Sequence, residues 1–178
     1  MEKNNFPLVS LITPGWNGVS FVGRLLDSIL NQTYPNMEYI YIDDGSTDGT
    51  KDVVLSYKEK FQKAGISFEY VYKENGGVSS AVNEGLKRVK GDYLCWPEYD
   101  DILISDSVER KVCYLETHKD CAVVTSDAWL VEDNDITKVT GVLSHHNPNR
   151  FDRNHFFSSV DDQFHFYCGV PHDSNVHV

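Results

Sequence analysis

Four short apolar runs, each emptying into a polar turn, alternate with three segments of helical period, and that order leaves few folds open. The runs are Val9 to Thr13, Glu38 to Ile42, about Ile66 to Tyr72, and the start of the stretch Tyr93 to Asp101. Between them, Val22, Leu25, Leu26, Ile29 and Leu30 recur at the spacing of one helix face. Val53, Val54, Tyr57 and Phe61 share a face of a second helix, and Val78, Val82, Leu86 and Val89 form the expected buried stripe of a third. Strand and helix in strict alternation predict βαβ units with right-handed crossovers and a mostly parallel α/β sheet. The near-continuous apolar character of the first run fits a strand covered on both faces.

In an open α/β sheet, ligands bind outside the carboxyl ends of the strands. Those ends carry Pro14-Gly15-Trp16-Asn17, Asp43-Asp44-Gly45-Ser46, Lys73-Glu74-Asn75-Gly76 and the acids Glu98, Asp100 and Asp101. Four such endings make one candidate site. Gly45 can take positive φ in a tight turn, and Ser46, Thr47 or Asp48 can cap the helix that follows. The turn from Asn75 to Ser80 lets backbone approach a ligand before a helix begins near Ser79, and a glycine-rich turn at a helix start can hold phosphate. It has neither the G-x-G-x-x-G nor the P-loop pattern. Helix capping and the preference of acids for a helix N-terminus explain part of the same pattern without a ligand.

The 178 residues suit about one domain with a real core. A formal net charge of -11 argues against nucleic acid or an anionic membrane surface as the main partner. An anionic substrate would need a metal ion to mask the acids. Cys95, Cys113, Cys121 and Cys168 lack a C-x-x-C spacing and read as reduced, buried thiols. No apolar run approaches the ~20 residues of a membrane span, no basic-then-apolar leader opens the chain, and any membrane association would be peripheral; this reading places the protein in the cytoplasm.

With these residues in view, the first 105 or so positions resemble the nucleotide-binding half of family 2 glycosyltransferases, which have the GT-A fold. The matching segments are Pro14-Gly15-Trp16-Asn17, Gln32-Thr33-Tyr34, Asp43-Asp44-Gly45-Ser46-Thr47-Asp48, Asn75-Gly76-Gly77, Gly91-Asp92-Tyr93 and Glu98-Tyr99-Asp100-Asp101. The resemblance implies a nucleotide-sugar donor, a UDP-sugar first of all, and a glycan, lipid-linked or protein acceptor. It implies Mn²⁺ or Mg²⁺ held by Asp100, with Glu98 facing ribose or metal and Asp101 in support. Asp44, beside Asp43, would accept the imide hydrogen of uracil or an equivalent donor. Pro14, Gly15 and Trp16 would wall the base, with Asn17 nearby, and Asn75, Gly76 and Ser79 would complete the donor site. Two positions depart from the family pattern: Glu98 stands where Asp is usual, and Ala81-Val82 stand where an arginine or lysine is often found.

The resemblance also implies an inverting reaction with a carboxylate base, for which Asp161 and Asp162 are the candidates in this chain. Residues 1–178 then read as one GT-A domain truncated at its C-terminus, 1–105 forming the donor half and 106–178 part of the acceptor half. A non-catalytic sugar-nucleotide-binding module and a sugar nucleotidyltransferase are the alternatives. The histidines from His145 onward lack the spacing of a zinc site. Past Asp101, Ser105 is expected to cap a helix bearing Val108, Val112 and Leu115, Cys121 to Thr125 to form a strand, and Ala128 to Val131 with Ile136 to Val142 to form an antiparallel hairpin at the sheet edge.

Overall fold

A computed structural model of the chain describes residues 6–133 and 135–143. Asp161, Asp162, Cys168 and the histidines from His145 on lie outside the described residues. The chain divides into two compact units, Met1–Glu109 and Arg110–Val178.

The first unit holds a four-stranded parallel sheet of β1 (Val9–Gly15), β2 (Met37–Asp43), β3 (Ser67–Tyr72) and β4 (Tyr93–Cys95), in the order β3-β2-β1-β4. Every residue of β1 and β2 is buried, as their apolar runs predict for central strands. Register pairs Val9 with Met37 and Gly15 with Asp43, so the polar turns that follow both strands start level with one another.

Between the strands run α1 (Val22–Leu30), α2 (Thr50–Ser56), α3 (Lys58–Ala64) and α4 (Val78–Leu86). Helix α1 buries Val22, Leu25, Leu26 and Ile29 as its period requires. The single helix expected through Phe61 is two. Tyr57 is at once the C-cap of α2 and the N-cap of α3, and beside this break the Ser56 hydroxyl donates to the Val53 carbonyl at 2.6 Å.

The buried face of α4 also differs from expectation. Val78 and Leu86 are exposed, and Ala81, Val82 and Gly85 are buried. A Cβ at Gly85 would stand 2.5 Å from Ile12 Cγ2, so the helix lies too close to the sheet for a branched residue there. Ala81 joins Ile12, Ile40 and Ile42, with Val71 and Val89 packed against them. Closeness of approach, which periodicity does not encode, turned the stripe toward its small residues.

On the other face the packing is aromatic: Tyr39 stacks on Phe61 at 5.3 Å, Phe61 on Phe68 at 5.1 Å, and Tyr41 on Tyr70 at 6.2 Å. At the amino ends of the strands, the Ser10 hydroxyl donates to buried Glu38 at 2.6 Å. Lys90 N–H donates to the same carboxylate and Gly91 N–H to Ser10, which sets the entry to β4.

Helix α5 (Ser107–Thr117) crosses the division between the units. In the second unit no strand forms over Cys121 to Thr125. Cys121 N–H donates to the His118 carbonyl in the turn that ends the helix, and Cys121 and Val124 pack on Tyr114 instead of entering a sheet. The hairpin is present as β5 (Ala128–Glu132) and β6 (Asp135–Leu143), antiparallel, with register shifts beside Val131, and it makes a two-stranded sheet of its own. The sequence suggests buried thiols, but Cys95 and Cys121 are half-buried and Cys113 is exposed. No helix among the described residues is long and apolar enough to cross a membrane.

Candidate active site at the carboxyl ends of the strands

The turns after β1, β2, β3 and β4 enclose a cleft of about 380 Å³, lined by Pro14, Gly15, Trp16, Asp44, Asn75, Gly77, Val78, Ala81, Glu98 and Tyr99. That volume is within the usual range for small-molecule sites. Its first wall depends on Gly15, where an added Cβ would meet the buried Tyr41 hydroxyl at 1.9 Å. Trp16, directly after it, is 53% exposed and presents its indole to the cleft.

The turn that carries Trp16 is laced to the one after β2. Asn17, at φ 51°, receives Thr47 N–H on its side-chain oxygen and donates its own N–H to the Ser46 hydroxyl, both at 2.9 Å. Gly18 N–H donates to Thr50 Oγ1 at 2.9 Å and Val19 N–H to Asp48 at 3.1 Å. Of the three candidate caps, Asp48 accepts from the N–H and hydroxyl of Thr50 at the start of α2.

Asp43 and Asp44 diverge completely. Asp43 is fully buried, and its carboxylate accepts from Ser46 N–H at 2.7 Å and the Tyr70 hydroxyl at 2.5 Å. Asp44 lines the cleft and is held from behind. Its Oδ1 accepts from Lys73 Nζ and from Gly76 N–H at 3.0 Å, and its Oδ2 from Gly77 N–H at 2.8 Å. Burial pushes the Asp44 carboxyl up, but Lys73 and the two glycine N–H groups outweigh it and hold the group below the ordinary carboxylate range.

At the other acids, a turn closes on itself. Glu98 N–H donates to Asp101 Oδ2 at 2.9 Å, and Asp101 N–H to the Glu98 carbonyl at 3.2 Å. The Glu98 carboxyl reaches the cleft and is raised above its ordinary value by burial and by the charges of Asp101 and Asp100. Tyr99 packs its ring against the loop that follows β1: a Cβ at Gly18 would meet it at 2.6 Å.

Of the residues singled out from sequence, then, Pro14, Gly15, Trp16, Asp44, Asn75 and Glu98 line one cleft. Asn17 and Asp43 brace its turns, while Gly76, Ser79, Asp100 and Asp101 do not line it. Sequence reasoning did not single out Tyr99, Val78 or Lys73 as site residues. Tyr99 occupies the variable slot of an acidic motif, and Val78 reads as core until α4 is seen to turn it outward.

The donor set fits a hard divalent cation. Glu98, Asp100 and Asp101 offer only carboxylate oxygens, and Glu98 is raised first by burial and then by the charges of Asp101 and Asp100, the part that a cation would relieve. Among the described residues no three acidic, His or Cys side chains converge on one point, so substrate phosphate would complete such a shell.

A parallel α/β sheet flanked by helices, with an acceptor carboxylate, an aromatic wall and a second acidic turn at its strand ends, is the architecture of a GT-A domain. The chain belongs to glycosyl transferase family 2, whose model matches residues 10–175. It is 42% identical over 113 residues, 63% of this chain and 33% of that protein, to an uncharacterised glycosyltransferase of Rickettsia typhi. It is 33% identical to the putative teichuronic acid biosynthesis glycosyltransferase TuaG of Bacillus subtilis, over 65% of this chain and 44% of that one. Among solved structures it is similar to S. aureus TarS 1-349 in complex with UDP-GlcNAc, with a TM-score of 0.57 and 25% identity over 62% of this chain and 32% of that chain. The chain spans a third to less than half of the length of these curated relatives.

Proposed function

We propose that this chain supplies the donor-binding half of a glycosyltransferase that moves a sugar from a UDP-sugar to a hydroxyl of a glycan, lipid-linked or protein acceptor. The observation that carries this reading is Asp44: an ionised carboxylate, backed by Lys73 and two glycine N–H groups, set in the cleft wall beside Trp16. A uracil stacked against Trp16 and Pro14 would give its imide N–H to Asp44. Asn75 and Gly77 would face ribose and diphosphate, and Glu98 would face the sugar-bearing end.

Glu98 and Asp100 would hold Mn²⁺ or Mg²⁺, which when bound supplies positive charge opposite the leaving diphosphate. Asp161 or Asp162 would take the acceptor proton, giving inversion. UDP-GlcNAc bound to the similar TarS and the teichuronic acid role given to TuaG support a UDP-sugar and polysaccharide synthesis. On this reading, residues 1–178 belong to a GT-A domain whose donor half is residues 1–105.

Calorimetric titration of UDP with and without Mn²⁺ tests the proposal, on wild type and on Asp44→Ala and Asp100→Ala. Binding should be strengthened by metal, weakened in both variants, and insensitive to metal in Asp100→Ala. Absence of binding by any nucleoside diphosphate would refute the reading. Donor hydrolysis by the chain would exclude the non-catalytic alternative.

A further inference from the structure

We propose that Lys73 is a positioning residue that decides which nucleobase the cleft accepts, by holding Asp44 as a pure hydrogen-bond acceptor. The inference rests on the donor-site reading above and deepens it.

Lys73 directly follows β3, and its main chain is fixed there: its N–H donates to the Asp43 carbonyl at 2.9 Å. The ammonium turns back onto Asp44 Oδ1 and also donates to the Glu74 carbonyl at 2.5 Å. The side chains of this pair are only 21% and 5% exposed. Room for the ammonium comes from Gly76, where a Cβ would stand 3.0 Å from Lys73 Nζ and 2.9 Å from Ser80 Oγ. No residue lining the cleft is Lys, Arg or His, so the counter-charge to Asp44 comes from behind the wall. The neighbouring Asp43 is committed to Ser46 and Tyr70 and offers Asp44 no compensation.

An ionised carboxylate has about four acceptor directions and no donor. Three donors engage it: Lys73 on Oδ1, Gly77 on Oδ2, and the single N–H of Gly76 shared between Oδ1 at 3.0 Å and Oδ2 at 3.2 Å, which leaves one direction open. A base edge meeting what remains must give a hydrogen. Uracil does so from N3 and guanine from N1, whereas the ring nitrogens at those places in cytosine and adenine are acceptors and are repelled. Without the ammonium, a carboxyl this buried retains a proton more readily, and a protonated Asp donates as well as accepts. The wall then ceases to distinguish uracil from cytosine.

The test is calorimetric titration of UDP and CDP, each with Mn²⁺, on wild type, Lys73→Met and Lys73→Arg. Wild type should prefer UDP. Lys73→Met should narrow that preference severalfold, because without the ammonium Asp44 holds a proton more readily, and Lys73→Arg, which keeps the charge, should retain most of it. A purely structural Lys73 would weaken both nucleotides equally, and an unchanged UDP-to-CDP ratio in Lys73→Met overturns the proposal while leaving the donor site intact. Should Lys73→Met not fold, Lys73→Gln keeps a donor of similar reach without charge and is read by the same ratio. Wild type that binds no nucleoside diphosphate removes the donor site itself, and this role with it.

Discussion

Gly15 sits on Tyr41 so closely that a Cβ at position 15 would stand 1.9 Å from the tyrosine hydroxyl and 2.5 Å from its Cζ. Both residues are buried, one at the end of β1 and the other on β2, and the ring is pinned by its stack on Tyr70. Gly15→Ala therefore has to displace either the strand end that carries Trp16 or the aromatic layer, at a cost of about 1–3 kcal/mol. Among the described residues the Tyr41 hydroxyl has no hydrogen-bond partner. Tyr41→Phe alone should be neutral or slightly stabilising, and in combination it should recover part of the Gly15→Ala loss, since the hydroxyl contact goes and the Cζ contact stays. Urea unfolding of the two single variants and the double variant measures this cycle, and equal destabilisation by Gly15→Ala in both backgrounds would contradict it.

Tyr70 is a brace for the Asp43 turn. Its hydroxyl donates to the buried Asp43 carboxylate, and burial followed by that bond raises the phenol well above its ordinary value. Tyr70→Phe leaves the carboxylate short of a donor and should cost about 1–3 kcal/mol, with weaker UDP binding as a secondary effect through the loosened turn. Loss of UDP binding at full stability would instead mean that Tyr70 touches the ligand.

Acidity should separate Glu98 from an ordinary surface carboxylate. Its folded-state value is raised by burial, then by Asp101 and Asp100. A raised group favours the folded state most below its unfolded value, 4.5, and loses that contribution as pH rises through the folded value. Glu98→Gln should thus match wild type in melting temperature near pH 4 and gain on it as pH rises, by an amount that Mn²⁺ reduces. A difference that does not vary with pH would count against this environment for Glu98.

Much of the site could be read before the fold was known. The runs Val9 to Thr13 and Glu38 to Ile42 are mostly apolar because β1 and β2 are covered on both faces, and their polar endings had to lie at one rim because the four strands of that sheet are parallel. Hidden from the sequence were the contacts made across the fold. The break at Tyr57 leaves no mark in the spacing of Val53, Val54, Tyr57 and Phe61, and Cys121 to Thr125 looks like a strand until Cys121 and Val124 pack on Tyr114.

Residue order alone determined which turns meet at the cleft, since alternating strands and helices admit one handedness of crossover and one binding edge. It could not tell Asp43 from Asp44. Neighbours at a strand end point to opposite sides, so only the sheet's position between its layers sent Asp43 toward Tyr70 and Asp44 toward the turn before α4, where Lys73 and the N–H groups of Gly76 and Gly77 keep it charged. The same holds for α4, whose wider residues the periodicity placed inward. The close approach of Gly85 to Ile12 turned Val78 out to line the cleft, because packing distance, unlike period, is a property of two surfaces at once.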